Sequence, residues 1–402
     1  MFIKFKNFLL SNLLLSQTLF FSIFAILGLT YKGSGESSLY SQYLVLSSFF
    51  IYILFFREIL IKRVINVPII LVLGFSIFLI FFILFAPSHN FVKSQTNLFF
   101  VLSLPSAFVG YIMARTKQLL FLKKSFIFLS LIVFVAVLRI LPKLFSSSVI
   151  DLMDVFGGGQ YQAFSYFCAF SFLTIFHQLI NKSYSKNIIF LFYVVVILVL
   201  FLGVFLSGGR GGLLVVLLGT ITLTVKKKGF LKFVKYSLFL SVFLYLFYLF
   251  SSESNFLFSD RFVESFERLF SFLSSDGIDM DGSSNRDQFY GTALSMIKKN
   301  LIIGYGFFGL VSSLGDYYPH NIFLEVFLQG GLLFFIFFIF FGFSFFYKLS
   351  KLIKLKKDED FILIPTVYSL TILMFSSSYL IEPFFWFSFT YVFSYPYNLL
   401  RK

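Results

Sequence analysis

The chain has 402 residues, of which 58% are hydrophobic and 13% charged, with a formal net charge of +15. Soluble domains carry roughly a quarter charged residues, and a water-soluble fold of this length has too little interior to hide so much apolar surface. The basic excess does not indicate a nucleic-acid partner, because the charges sit in short segments between long apolar blocks, where they report membrane topology instead.

In lipid every backbone N–H and C=O must be satisfied internally, so each long apolar block reads as a helix. The strict short-segment alternation of a β-barrel is missing. The fold class expected is all-α integral membrane, with about twelve transmembrane helices. Taken along the chain, the spans fall at 8–29, 39–56, 67–85, 96–114, 125–141, 161–180, 188–206, 211–225, 233–250, 322–347, 361–380 and 384–399. The block at 188–206 contains no charge at all. No small-residue cleavage site follows the first apolar run, which therefore reads as a span and not as a cleaved signal.

Charge then orients the spans. With the N-terminus inside, the inside segments hold Lys4 and Lys6, Arg57 to Arg63, Arg115 to Lys124, Lys182 and Lys186, Lys226 to Lys235, Lys348 to Lys357, and finally Arg401 and Lys402. Every inside segment is basic, as the positive-inside rule requires. This predicts a multi-pass protein of the cytoplasmic membrane with both termini in the cytoplasm. One polytopic membrane domain over 1–402 is expected, with 251–319 as the largest outer connection. Within that connection Phe262, Phe266, Leu269 and Leu273 recur at helical spacing between charged residues, which predicts an amphipathic helix. A turn-rich break at 277–284 follows. A second helical pattern then places Phe289, Ala293 and Ile297 on one face. Cys168 stands alone and is expected to be a packing residue.

Three features at the outer face could carry chemistry. The first is Ser207-Gly208-Gly209-Arg210-Gly211-Gly212, between the seventh and eighth spans. Gly209 and Gly211 allow close backbone approach, and Arg210 would stand at a helix N-terminus that favours an anion. The stretch reads as a phosphate-binding arrangement or as a tight turn with a snorkelling arginine. The second is Arg286, near the start of the second loop helix and followed by Gly304-Tyr305-Gly306. Locally it is either a ligand-binding cation or a solvated surface arginine. The third is Pro319-His320-Asn321, with Gly331 after nine further residues. His320 is expected in the first turn of the tenth span. The helix dipole there disfavours imidazolium, so a neutral histidine able to accept a proton is expected. Glu325, about one turn further in, is a supporting candidate. Either His320 or Asn321 could alternatively serve as an N-cap.

The remaining candidates are weaker. Gly157 to Gln162 could hydrogen-bond a sugar through Gln162 or simply begin the sixth span. His89 and His177 read as bystanders. Asp276, Asp279 and Asp281 beside glycines resemble a calcium loop, but their spacing fits no EF-hand, and no metal is expected.

The ordered combination of Ser207 to Gly211, an arginine-led helix from Arg286 to Gly306, and His320-Asn321-x9-Gly331 resembles the O-antigen ligase and polysaccharide polymerase superfamily, the Wzy/WaaL group. The matching stretch is roughly 206–332; earlier residues agree only in topology and hydropathy. Asn300 departs from the family, which often has proline before its Gly-Tyr-Gly. The resemblance implies a GT-C-type glycosyltransferase that needs no cofactor. Its donor would be a glycan on undecaprenyl diphosphate and its acceptor a hydroxyl, with a flippase and a chain-length regulator as further partners in the bilayer. It would make Arg210 and Arg286 the diphosphate-binding pair and His320 the catalytic base, supported by Asn321, Glu325, Gly209, Gly211 and Gln162. Gly159 to Gln162 look more like polymerases of capsule, exopolysaccharide or O-antigen. The alternatives are a ligase that transfers the glycan to lipid A core and, from another class, a lipid-linked oligosaccharide flippase or transporter. A flippase would normally show repeat-related halves or charges along its spans.

Overall fold

The computed structural model describes residues 37–62, 66–85, 90–116, 119–146, 161–181, 187–207, 209–229, 273–274, 277–278, 286–309, 319–355 and 357–396. These are almost wholly helical. In chain order they form α1 (Ser37–Lys62), α2 (Val67–Phe85) and α3 (Asn90–Leu98), which runs through a π-helical turn (Phe99–Ser103) into α4 (Leu104–Thr116). Then follow α5 (Leu119–Ser146), α6 (Tyr161–Asn181), α7 (Asn187–Leu206) and α8 (Arg210–Lys228). After α9 (Arg286–Lys299) come α10 (Ile322–Leu355), a 3-10 segment (Lys357–Ile362), α11 (Leu363–Phe375) and α12 (Pro383–Ser394). Among the described residues the departure from all-α structure is one antiparallel ladder, β1 (Leu273–Ser274) with β2 (Gly277–Ile278). Leu273, expected on an amphipathic helix, instead pairs with Ile278. The rest of that expected helix, and the expected spans at 8–29 and 233–250, lie outside the described residues.

Five helices among the described residues are long and apolar enough to cross a membrane: Phe91–Thr116, Leu119–Leu141, Gln162–Asn181, Ile188–Leu206 and Ile322–Lys354. Many of their large apolar side chains are exposed, among them Ile188, Leu191, Phe340 and Phe343. That pattern suits lipid as the solvent, since hydrocarbon asks for no polar outer face.

The described residues of Leu39–Leu122 and Met280–Lys402 form one compact unit, and those of Lys123–Asp279 another. In the first, α4 lies against α12 so closely that a β-carbon on Gly110 would overlap the Phe387 carbonyl and the Thr390 hydroxyl. Thr390 Oγ1 donates to the Ala107 carbonyl at 2.7 Å. Small residues let helix backbones approach where lipid supplies no hydrophobic drive between helices. Phe55 and Phe108 stack at 3.6 Å between centroids, and Trp386 packs on Phe75 and Phe99. The π turn disturbs the regular ladder, and side chains of α1 engage its carbonyls. Ser48 Oγ donates to Val101 O at 2.6 Å and the Tyr52 hydroxyl donates to Phe100 O.

In the second unit α6 packs on both α7 and α8. Gly203 of α7 accommodates Cys168 Sγ and the Val137 side chain, and a β-carbon there would lie 3.1 Å from the sulfur. Cys168 is fully buried, which accords with a packing role.

Candidate functional site

Helix α8 begins at Arg210, with Gly209 in extended backbone (φ −81°, ψ 95°) as its N-cap and no side-chain cap. The Gly212 amide donates to Gly209 O at 3.1 Å. The first turn rests on one face of α6, formed by Gln162, Ser165 and Tyr166 at i, i+3 and i+4. Ser165 Oγ donates to Gly209 O at 3.0 Å. β-Carbons on Gly209 and Gly212 would overlap Ser165, and one on Gly211 would overlap the Tyr166 hydroxyl. The glycines expected to admit a ligand therefore also admit α6. This contact brings Gln162, Gly209 and Gly211 together around the half-buried Arg210. Ser165 and Tyr166 were not legible as site residues, although their spacing from Gln162 was the available signal. An arginine thus opens the positive end of a helix, a pairing of residue and position that suits an anion.

In the other unit Arg286 is the first residue of α9. Ala293, Met296 and Ile297 of α9 are buried against Leu328 of α10, with Tyr305, Leu324 and Phe327 around them. The expected face of Ala293 and Ile297 is thus the packed one. The Asn300 amide donates to Met296 O at 3.1 Å and Ile297 O at 3.2 Å, closing α9. A proline there has no N–H and would forgo both bonds.

Helix α10 is broken at Gly331 (φ 62°, ψ −161°). The amides of Tyr305 and Gly306 donate to Leu328 O and Gln329 O, at 2.7 and 2.8 Å. In return the amides of Leu332 and Leu333 donate to Leu301 O and Ile302 O, at 2.8 and 3.4 Å. Backbone groups left without helical partners by the break are thereby satisfied, as a buried or membrane-embedded chain demands. Gly331 occupies a region that is essentially restricted to glycine, and its β-carbon would overlap Ile302 O. Gly304 (φ 74°) faces it, and a β-carbon there would lie 2.5 Å from Gly331 N. The Gly-Tyr-Gly and the distant glycine of the histidine motif are two sides of one interlock.

The break divides α10. As one rod, Ile322–Leu355 would run about 50 Å, well beyond a hydrocarbon core of about 30 Å. From Leu332 onward it still runs about 36 Å, enough to span alone. The preceding half-helix, 322–330, carries Glu325 and Gln329. Asn321 is its cap, with Oδ1 accepting from the amides of Phe323 at 3.0 Å and Leu324 at 3.2 Å. His320 therefore stands one residue before the cap and not in the first turn, since Asn321 takes the capping position. Its backbone is left-handed (φ 51°), uncommon outside glycine.

Glu325 is buried and accepts from Ser378 Oγ at 2.5 Å and Gln329 Nε2 at 3.4 Å. Tyr379 Oη donates to Gln329 Oε1 at 2.5 Å, and Trp386 Nε1 to Tyr379 O at 2.6 Å. A polar chain thus ties the half-helix to the segment between α11 and α12. His177 is buried in α6 with Nε2 2.9 Å from Asn181 Nδ2. His89, residues 157–160 and Asp276, Asp279 and Asp281 lie outside the described residues. Arg210 lies in one unit and Arg286 and His320 in the other.

Residues 194–339 match a family model described as O-antigen ligase. The resemblance read from the three motifs is borne out over that stretch, which holds Arg210, Arg286, His320, Asn321 and Gly331. No curated protein and no solved structure matches the chain.

Proposed function

We propose that this chain, which carries an O-antigen ligase family domain over residues 194–339, is a membrane glycosyltransferase that moves a glycan from undecaprenyl diphosphate to an acceptor hydroxyl. The observation that carries this reading is the extent of the match, within which all three motif elements fall. The reaction takes place at the outer face of the cytoplasmic membrane, where the charge bias puts His320. His320 accepts the proton of the acceptor hydroxyl as the acceptor oxygen bonds to the anomeric carbon. The bond from that carbon to the diphosphate oxygen breaks, and its electron pair leaves with the diphosphate. Arg210 and Arg286 hold the growing negative charge, since a guanidinium fork binds phosphate bidentately and stays charged. In a low-dielectric site such contacts stabilise the transition state most. The position of His320 beside a helix N-terminus supports a neutral base. The polymerase-like stretch from Gly159 to Gln162 favours another lipid-linked repeat unit as acceptor over lipid A core.

Two measurements test this. Deleting the gene should leave single capped repeat units at the cell surface; long chains stranded on the carrier lipid would indicate a ligase instead, and loss of the surface glycan with donor trapped inside would indicate a flippase. In purified protein, supplied with lipid-linked glycan extracted from the deletion host, His320→Ala should slow transfer by about two to four powers of ten and retain donor binding. Arg210→Lys and Arg286→Lys should bind donor poorly, because a point charge cannot replace a planar fork. Near-normal transfer by His320→Asn would remove the base assignment.

A further inference from the structure

The half-helix 322–330 is restrained at both ends and along one flank, beyond what a helix start requires. Asn321 caps its N-terminus. Its C-terminal carbonyls are held by Tyr305 and Gly306 through the Gly304–Gly331 interlock. Its flank is fixed by Glu325 to Ser378 and by Gln329 to Tyr379, and Tyr379 is fixed in turn by Trp386. Directly before it stands His320 in a left-handed conformation. Such a backbone state in a non-glycine residue persists when its surroundings over-determine it, and it concentrates at active sites.

We infer that the half-helix is a rigid mount for His320, and that Glu325, Gln329 and Gly331 are positioning residues acting through that side chain. The inference rests on His320 being the base. Glu325 Oε1 is engaged by Ser378 and Gln329 and the side chain is buried in the packing, which suits a role in holding the half-helix. The interlock serves the same end from the other side. It joins the helix that begins with Arg286 to the one that His320 precedes, so both residues ride on a single backbone-bonded body. A displacement of about 1 Å at a reacting group can cost on the order of a hundredfold in rate, which is the scale on which a loosened mount would show.

The test is a set of double-mutant cycles in which Ser378→Ala, Tyr379→Phe and Gly331→Ala are each made alone and with His320→Ala. Tyr379→Phe deletes one hydrogen bond and Ser378→Ala two, to Glu325 and from the Leu380 amide, and neither adds an atom, so the cycles remain readable if Gly331→Ala does not accumulate. The readouts are transfer of the extracted lipid-linked glycan and its equilibrium binding. At saturating donor each variant should slow transfer about tenfold or more with His320 present and cause no further slowing once His320 is alanine; Ser378→Ala and Tyr379→Phe should leave donor binding unchanged, whereas Gly331→Ala should also weaken it through Arg286. Equal slowing in both backgrounds would overturn the mount and leave the base assignment standing. Normal transfer by His320→Ala itself would remove the base reading and the mount with it.

Discussion

Gly209, Gly211, Gly212 and Gly219 lie along α8 from its N-cap to its middle, and Gly304 and Gly331 join α9 to α10, yet the two sets are glycine for different reasons. None of the first set has a positive φ. They are small because Ser165, Tyr166 and Leu173 of α6 occupy the space a β-carbon would need. Gly304 and Gly331 have positive φ, and what lies against them is backbone. A side chain can be traded for a smaller one, whereas a backbone carbonyl cannot. The α6–α8 contact is therefore open to compensation by a second substitution, and the α9–α10 interlock is closed to it.

That contrast can be broken experimentally. The largest effect is expected at Gly331→Ala, where strain and overlap with Ile302 O combine to about 3 kcal/mol or more. Gly331→Asn should fare no better, because asparagine tolerates the left-handed helical region but not ψ near −161°. Thermal unfolding in detergent measures both; a Gly331→Ala protein as stable as its parent would end the distinction. A middle effect is expected at Gly219→Ala, about 1–3 kcal/mol of overpacking against Leu173. Combined with Leu173→Ala, it should be clearly more stable than the sum of the two single losses predicts, and simple additivity would show that the helices part instead of repacking. The smallest is Asn321→Ala, which should cost about 1 kcal/mol by removing a cap, with Asn321→Asp close to the parent.

Much of the helical frame was legible. The blocks read at 67–85, 161–180 and 188–206 agree with α2, α6 and α7 within a residue at each end, because uniform hydropathy bounded by polar residues is a strong one-dimensional signal. Ala293 and Ile297 were placed on the packed face of α9 by period alone. The eleventh span was read to 380, but α11 ends at Phe375. Residues 376–382 read Ser-Ser-Ser-Tyr-Leu-Ile-Glu before Pro383, a polar stretch that was overrun by the apolar block before it, and they form the junction built by Ser378 and Tyr379. The break at Gly331 was also missed: Gly330-Gly331 is a breaker pair, but it stands inside a long apolar run, and the loop at Gly304 that completes the break is distant in sequence. Gln329 was not singled out in the sequence at all. Its partner, Tyr379, lies fifty residues away, and tertiary pairing of that kind leaves no local trace.

The π turn at Phe99–Ser103 bears on how this part of the chain tolerates insertions and deletions. A π turn houses one residue more than the α-turn it replaces. Deleting any one residue there would let the ladder close as ordinary α-helix, and local hydrogen bonding would record little loss. The damage would appear downstream as a phase error. One residue is about 100° of helical rotation, so Gly110 would swing away from Phe387 and Ala107 away from Thr390. Length in this helix is thus constrained by rotation and not by span, and homologous chains that lack the extra residue would need a compensating change in the facing helix.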